Sequence, residues 1–253
     1  MFQETPRLGG QVHVSADPDQ LYDELGHSLL ASAQLAVRKR GTFHLALSGG
    51  SSPEGFYIRL AVDPQFRSFP WSRTHVWMVD ERRVPESDEH SNYRMIREAL
   101  LDHVVMPQSQ RHPMPVMDEQ VAREYEHELC EVFHQRQQIP RLDFVLLGMG
   151  ADCHTASLFP HTRALRERDA LICVNDGRNV TPPPRVTMTY PLLNAARHVA
   201  VMVTGEAKAA AITRIDHQLS TSGPDPVEMP ITGVSPIDGA VAWHLDKAAA
   251  GTT

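Results

Sequence analysis

The stretch of sequence that decides the fold spans residues 146 to 160 and reads Leu146-Leu147-Gly148-Met149-Gly150-Ala151-Asp152-Cys153-His154-Thr155-Ala156-Ser157-Leu158-Phe159-Pro160. An apolar run ends here in Gly-x-Gly, and an Asp and a His follow with one residue between them. An apolar strand that runs into a glycine-rich loop is typical of a parallel sheet, in which ligands bind beyond the carboxyl ends of the strands. The stretch therefore predicts a site in this loop.

Short apolar runs alternate with longer segments of helical period on both sides of this stretch. We predict strands at residues 12–15, 43–47, 75–79, 142–147, 170–174, 185–189, 198–203 and 241–245. We predict helices at 17–40, from 52 onwards, and at 93–101, 118–138 and 206–219. Such alternation indicates an α/β fold, with a mostly parallel sheet flanked by helices on both faces. No internal repeat or low-complexity linker divides the chain, so we expect a single domain over residues 1–253.

The composition excludes several classes of function. The chain has 24 Lys and Arg against 31 Asp and Glu, a net charge of −7, which disfavours nucleic acid as a partner. Three cysteines at wide spacing form no disulfide framework or metal knuckle and fit a reducing compartment. The first seven residues lack the apolar core of a signal peptide, and no apolar run could span a bilayer. We therefore expect a cytoplasmic protein that contacts no membrane.

A loop at Ser48-Gly49-Gly50-Ser51-Ser52-Pro53 follows one predicted strand and precedes a predicted helix, which Ser52 could cap. Glycines allow close backbone approach, and the helix start presents free N–H groups, so the loop suits a phosphate. A plain tight turn explains the bare motif about equally well. The same residues come within one position of a serine-hydrolase elbow, which would make Ser48 a nucleophile. The continuation into a capped helix favours anion binding.

Two further segments carry charge at predicted strand ends. Asp80-Glu81-Arg82 follows the strand at 75–79, with Asn92 shortly after it, and can combine phosphate recognition with polar contacts to a sugar. Lys208 lies in the first turn of the helix after the strand at 198–203 and can point at the same anion. Taken singly, a salt-bridged turn and an exposed helix lysine are the commoner explanations.

His154 can act as a general base at neutral pH, with Asp152 setting its tautomer, although a lone loop histidine usually has no such role. Metal binding finds little support, since the chain has no HExxH motif and no paired cysteines.

Taken jointly, these segments resemble the 6-phosphogluconolactonases of the glucosamine-6-phosphate isomerase/deaminase-like superfamily. The resemblance rests on the four segments above, on Arg185-Val186-Thr187-Met188-Thr189, and above all on the ending Thr155-Ala156-Ser157-Leu158-Phe159-Pro160. That ending marks the lactonase branch, since deaminases continue with Ile-Ala-Phe-Asn-Glu-Pro. The matches span nearly the whole chain in consistent order.

The resemblance implies a Rossmann-like fold and hydrolysis of 6-phospho-D-glucono-1,5-lactone to 6-phosphogluconate in the oxidative pentose phosphate pathway. It implies neither metal nor cofactor, with His154 as the general base and Asp152 orienting it. The implied substrate-binding residues are Ser48, Gly49, Gly50, Ser51, Asp80, Arg82, Asn92 and Lys208.

Cys153 departs from the family pattern, which has glycine between the Asp and the His. If this position has positive φ, a Cβ there costs about 1–2 kcal/mol. Either a local shift accommodates the small side chain, or the cysteine crowds the substrate, weakens the enzyme or oxidises beside the base. Cys153 therefore keeps a non-catalytic sugar-phosphate binding protein as an alternative. A deaminase-like isomerase is a further alternative, which the Thr155–Pro160 ending disfavours. The sequence does not determine the oligomeric state, and a monomer is the simplest expectation.

Overall fold

A computed structural model describes residues 5–135, 138–175 and 184–251 of the chain. Its strands are β1 (Gln11–Ser15), β2 (Phe43–Leu47), β3 (Thr74–Met78), β4 (Asp80–Arg82), β5 (Arg111–His112), β6 (Phe144–Leu147), β7 (Ile172–Asn175), β8 (Arg185–Met188), β9 (His198–Val203) and β10 (Ala240–Asp246). Its α-helices are α1 (Pro18–Arg40), α2 (Ser51–Val62), α3 (Asn92–Ala99), α4 (Val121–Val132), α5 (Tyr190–Leu193), α6 (Ala209–Thr221) and α7 (Lys247–Ala250).

Seven strands form a central sheet in the order β1-β10-β9-β6-β2-β3-β5, and every pairing in it is parallel. Paired residues of adjacent parallel strands point to the same face, and neighbours along a strand to opposite faces. The register therefore puts His13 and Trp77 on opposite faces. Helix α1 covers the His13 face, and Tyr125 of α4 contacts Trp77 on the other. The predicted α/β fold, with a parallel sheet between helices, is confirmed.

Helix α1 shows why the sequence folds as predicted at its ends. The carboxylate of Asp17 accepts a hydrogen bond from the Gln20 amide at 2.9 Å, and Pro18 occupies the first turn. Gly41 ends the helix with φ of 83°, a conformation that favours glycine.

Four predicted helices differ from the structure in their bounds. Helix α3 covers Asn92–Ala99 rather than 93–101, and a separate 3-10 turn follows it. Helix α2 begins at Ser51, and its N-cap is Gly50, so the prediction that Ser52 caps it was wrong. Helix α4 covers Val121–Val132 only, since turns occupy residues 117–120 before it. Of the prediction for 118–138, residues 136 and 137 lie outside the described part of the chain. The segment predicted from 206 begins as a short 3-10 turn, and α6 follows at Ala209.

A second, three-stranded sheet in the order β4-β8-β7 was not predicted. Its pairings are antiparallel, and Arg82 pairs with Arg185 in the register of β4 and β8. The segment Asp80–Arg82, predicted as a loop, is therefore a strand whose successive side chains point to opposite sides. Strand β4 begins two residues after the last residue of β3, so this small sheet starts at the carboxyl end of β3.

Buried apolar side chains from Leu8 to Ala249 form one contiguous cluster, which supports the proposal of a single domain. The described part of the chain contains no helix with the length and apolar character needed to cross a membrane.

Candidate active site

A cavity of about 220 Å³ opens at the carboxyl edge of the central sheet, where the loops after β2, β6 and β9 meet β4. Among the described residues that line it are nine predicted from the sequence: Ser48, Gly49, Gly50, Ser51, Asp80, Arg82, Asn92, His154 and Lys208. The sequence reasoning did not single out Met202 and Val203, which also line the cavity. Their position at the end of β9, beside β6, is the signal that could have identified them.

The loop between β2 and α2 presents unused hydrogen-bond donors to this cavity. The N-cap Gly50 has φ of 107° and supplies no side chain to bond the amides of the first helical turn. The Ser48 hydroxyl is buried and has no hydrogen-bond partner in the described part of the chain. Tyr57 fixes the backbone by donating its hydroxyl to the Ser48 carbonyl at 2.6 Å. Free donors at a helix N-terminus suit an anion, and we call residues Ser48–Ser51 the cradle.

Gly49 is required for the cradle to approach α3. A Cβ at this position would overlap the side chain of Asn92. We expect Gly49→Ala to push Asn92 away and to weaken binding of inorganic phosphate about tenfold or more, the loss that one charge-assisted hydrogen bond implies. Isothermal titration calorimetry measures this affinity.

Gly148→Ala is the matched control, because the same methyl group at this lining residue would meet no atom within 4 Å. It should weaken phosphate binding far less than Gly49→Ala. Equal affinities for the two variants would contradict the assigned contact.

Arg82 and Asp80 are held at the cavity by hydrogen bonds to uncharged groups. The Arg82 guanidinium donates to the side-chain oxygen of Asn92 and to the His90 carbonyl, the latter at 3.0 Å. The Ser157 hydroxyl donates to the Asp80 carboxylate at 2.6 Å. Ser157 belongs to the Thr155–Pro160 ending, so this contact joins two segments that the sequence keeps far apart.

His154 and Asp152 form a close pair in the loop after β6. The Nδ1 atom of His154 lies 2.5 Å from Oδ1 of Asp152, and the side chain of His154 is 31% exposed. Partial burial works to raise the pKa of Asp152, but the hydrogen bond and charge of His154 outweigh it and leave this pKa below its usual range. When Nδ1–H donates to the carboxylate, Nε2 keeps its lone pair and can take a proton. Asp152 is not among the described residues that line the cavity, and His154 lies between it and the cavity.

Cys153 has φ of 64°, a conformation that favours the glycine which the sequence resemblance implies at this position. Its side chain is buried and is absent from the described lining of the cavity. The sulfur lies 3.1 Å from Nη2 of Arg214 on α6. Burial raises the pKa of the Cys153 thiol, although Arg214 opposes this, and the protonated thiol is a poor nucleophile. The cysteine therefore strains the backbone without crowding the cavity.

Within residues 5–135, 138–175 and 184–251, no three His, Cys, Asp or Glu side chains are arranged to hold a metal ion.

Two curated relatives illustrate what the chain is similar to. It is 40% identical over 225 residues to the 6-phosphogluconolactonase of Nostoc sp., covering 87% of this chain and 89% of that protein. It is also 40% identical over 241 residues to the GDH/6PGL endoplasmic bifunctional protein of Oryctolagus cuniculus. That match covers 92% of this chain, but the chain spans only 29% of the length of the bifunctional protein.

A solved structure shows the same fold. The 6-phosphogluconolactonase from Leishmania guyanensis superposes with a TM-score of 0.81 at 28% identity, covering 95% of this chain and 97% of that one. The family model described as glucosamine-6-phosphate isomerases/6-phosphogluconolactonase matches residues 16–243. The chain therefore belongs to the glucosamine-6-phosphate isomerase/6-phosphogluconolactonase family.

Proposed function

We propose that this protein hydrolyses 6-phospho-D-glucono-1,5-lactone to 6-phosphogluconate, in the oxidative pentose phosphate pathway. The observation that carries the proposal is one cavity lined both by the cradle at Ser48–Ser51 and by His154, whose Nδ1 atom contacts Asp152 behind it. Hydrolysis of a phosphorylated ester needs a site that binds the phosphate and a base that activates water. The 40% identity to a 6-phosphogluconolactonase over most of both chains supports this substrate.

The substrate phosphate binds at the cradle in this proposal. The free amides at the start of α2 and the Ser48 hydroxyl donate to its oxygens, and Arg82 and Lys208 supply positive charge. Each charge-assisted contact contributes about 1.5–3 kcal/mol. Local charge of this kind lets a protein with a net charge of −7 hold a dianion. Binding through the phosphate also orients the lactone carbonyl at the other end of the cavity.

His154 acts as the general base in the proposed hydrolysis. Its Nε2 takes a proton from water as the water oxygen attacks the lactone carbonyl, and the carbonyl electrons move to oxygen. When this electron pair re-forms the carbonyl double bond, the bond from the carbonyl carbon to the ring oxygen breaks. The imidazolium then gives its proton to the ring oxygen. Asp152 holds the ring in the required tautomer and stabilises its charged form. We propose no metal or cofactor, because water attack on an ester needs only a base.

A coupled assay tests this function directly. Freshly generated lactone is mixed with the protein, and 6-phosphogluconate is followed with 6-phosphogluconate dehydrogenase against a blank without protein, because the lactone opens unaided. We expect a rate that rises in proportion to the protein concentration. A rate equal to the blank would refute the proposal. Ammonia release from glucosamine 6-phosphate would instead identify a deaminase.

We further propose that a monomer suffices for this reaction, because one chain supplies both the cradle and His154 to the same cavity. The free thiols of Cys130, Cys153 and Cys173 support a reducing compartment such as the cytoplasm.

A further inference from the structure

Glu81 lies in the middle of β4, between two residues that line the cavity. Asp80 and Arg82 face the cavity, and Glu81 points to the opposite side of the strand. Its side chain is 2% exposed, so its carboxylate is removed from water. A buried carboxylate is costly unless hydrogen bonds replace that water.

Four donors converge on the Glu81 carboxylate. The backbone amides of Arg82, Asn92 and Tyr93 each donate to it at 2.7 Å, and the Ser91 hydroxyl donates at 3.1 Å. Asn92 and Tyr93 are the first two residues of α3, whose positive N-terminal end favours a negative charge. Glu81 thus attaches the start of α3 to β4. Burial raises the pKa of Glu81, and these backbone bonds oppose the rise.

The start of α3 in turn shapes the phosphate side of the cavity. The Asn92 side chain accepts from the Arg82 guanidinium and donates to the Asp80 carbonyl at 2.9 Å. It also occupies the space that a Cβ on Gly49 would need. The Asn92 side chain therefore sets the distance between Arg82 and the glycine loop. The backbone amide of Asn92 is fixed by Glu81, which itself does not line the cavity.

We propose that Glu81 is a positioning residue for phosphate recognition, acting through Asn92 on Arg82 and on the loop at Gly49. The inference rests on the proposed function for its substrate. It concerns a different half of the cavity from the Asp152–His154 pair, which another loop carries. Loss of Glu81 should therefore weaken substrate binding and leave the proton-transfer step in place.

Glu81→Gln tests the inference with little change in shape. The amide keeps one acceptor oxygen, but its NH2 group faces backbone N–H groups and its charge is lost. We expect KM for the lactone to rise about tenfold, as loss of a charge-assisted hydrogen bond implies, while kcat stays within about twofold. The dissociation constant for inorganic phosphate, measured by calorimetry, should rise by a similar factor.

Glu86→Gln is the matched control, because Glu86 is half-exposed and pairs with Arg97 at 3.1 Å outside the cavity. It should change neither KM nor phosphate affinity. If Glu81→Gln does not fold, Ser91→Ala removes the hydroxyl that donates to Glu81 and that also caps α3 by accepting from the Arg94 amide at 3.1 Å. Because both contacts hold the start of α3, this variant should also raise KM and the phosphate dissociation constant, by a smaller factor.

The outcomes separate the two proposals. A wild-type protein that binds phosphate but leaves the lactone at the blank rate would refute the lactonase, while the phosphate affinities would still test Glu81. Unchanged phosphate affinity in the folded variant, or a fall in kcat at constant KM, would overturn the role of Glu81. Absence of phosphate binding by the wild-type protein would overturn it as well.

Discussion

The variant His154→Ala should lower kcat for the lactone by a factor of about 10² to 10⁴, the usual contribution of a general base. The alanine removes the Nε2 atom that takes the proton from water in the proposed mechanism, and it leaves Asp152 without its 2.5 Å partner. The cradle at Ser48–Ser51 belongs to a different loop. Phosphate affinity should therefore survive, and the measurement is kcat above the blank together with calorimetric phosphate binding.

His161→Asn is the control for this experiment. His161 lies in the same region of sequence, but its side chain is 61% exposed and lies 3.3 Å from Glu228. Its φ of 60° is a conformation that asparagine tolerates well. This variant should keep wild-type turnover. Full activity in His154→Ala would remove the histidine from the mechanism, and loss of phosphate binding would show that the change disturbs more than the base.

The second large effect concerns folding stability in acid, which should fall steeply below about pH 6.5, the ordinary pKa of histidine. Burial lowers the pKa of His44 to about 3 and that of His75 to about 4, with further contributions from neighbouring charges that include His112. Burial likewise lowers the pKa of His244 to about 4, with contributions from His13 and His198. These groups lie on both faces of the central sheet.

The sign follows from proton uptake. At a pH between the folded and unfolded pKa values of a buried histidine, the unfolded chain binds more protons than the folded protein does. A fall in pH through this range therefore favours unfolding. Each such histidine costs about 1.4 kcal/mol per pH unit within its window, and three together cost up to about 4 kcal/mol per unit. A typical domain has only about 5–15 kcal/mol of stability. We therefore expect unfolding as the pH approaches 4, measured by urea denaturation at a series of pH values.

His244→Phe should reduce this pH dependence by about 1.4 kcal/mol per unit, because it keeps a ring in the stack with His13 and removes one titrating group. His217→Phe, at an exposed position on α6, should reduce it much less. Identical slopes for both variants and the wild-type protein would show that the buried imidazoles do not control acid stability.

The central sheet was predictable because its strands have clear apolar runs between helices with ordinary caps. β2 and β9 match their predicted bounds, and α1 begins and ends where Asp17 and Gly41 indicate. The short strands were not predictable. β5 has two residues and β4 has three charged ones, so neither has a hydrophobic period. Their pairing depends on partners that are distant in sequence.

The candidate site was predictable to a similar degree. Loops after parallel strands meet at one edge, so four segments could be expected to share a cavity. The residues alone left each segment with an ordinary alternative, and the family resemblance selected the interpretation. The role of Glu81 was not visible, because an acid inside a charged triplet does not show which side of a strand it occupies. The sequence also could not show that the Cys153 side chain points away from the cavity, because this direction depends on the backbone conformation of the residue.

The order of strands in the central sheet has a consequence for folding kinetics. β6, which leads into the His154 loop, lies between β2 and β9, although the three strands are distant along the chain. Contacts of such high sequence separation form slowly, because loop closure has a large entropic cost before pairing compensates for it. The cradle, His154 and Lys208 can meet only after both strand pairings of β6 are in place. Recovery of activity during refolding should therefore lag behind recovery of helical signal.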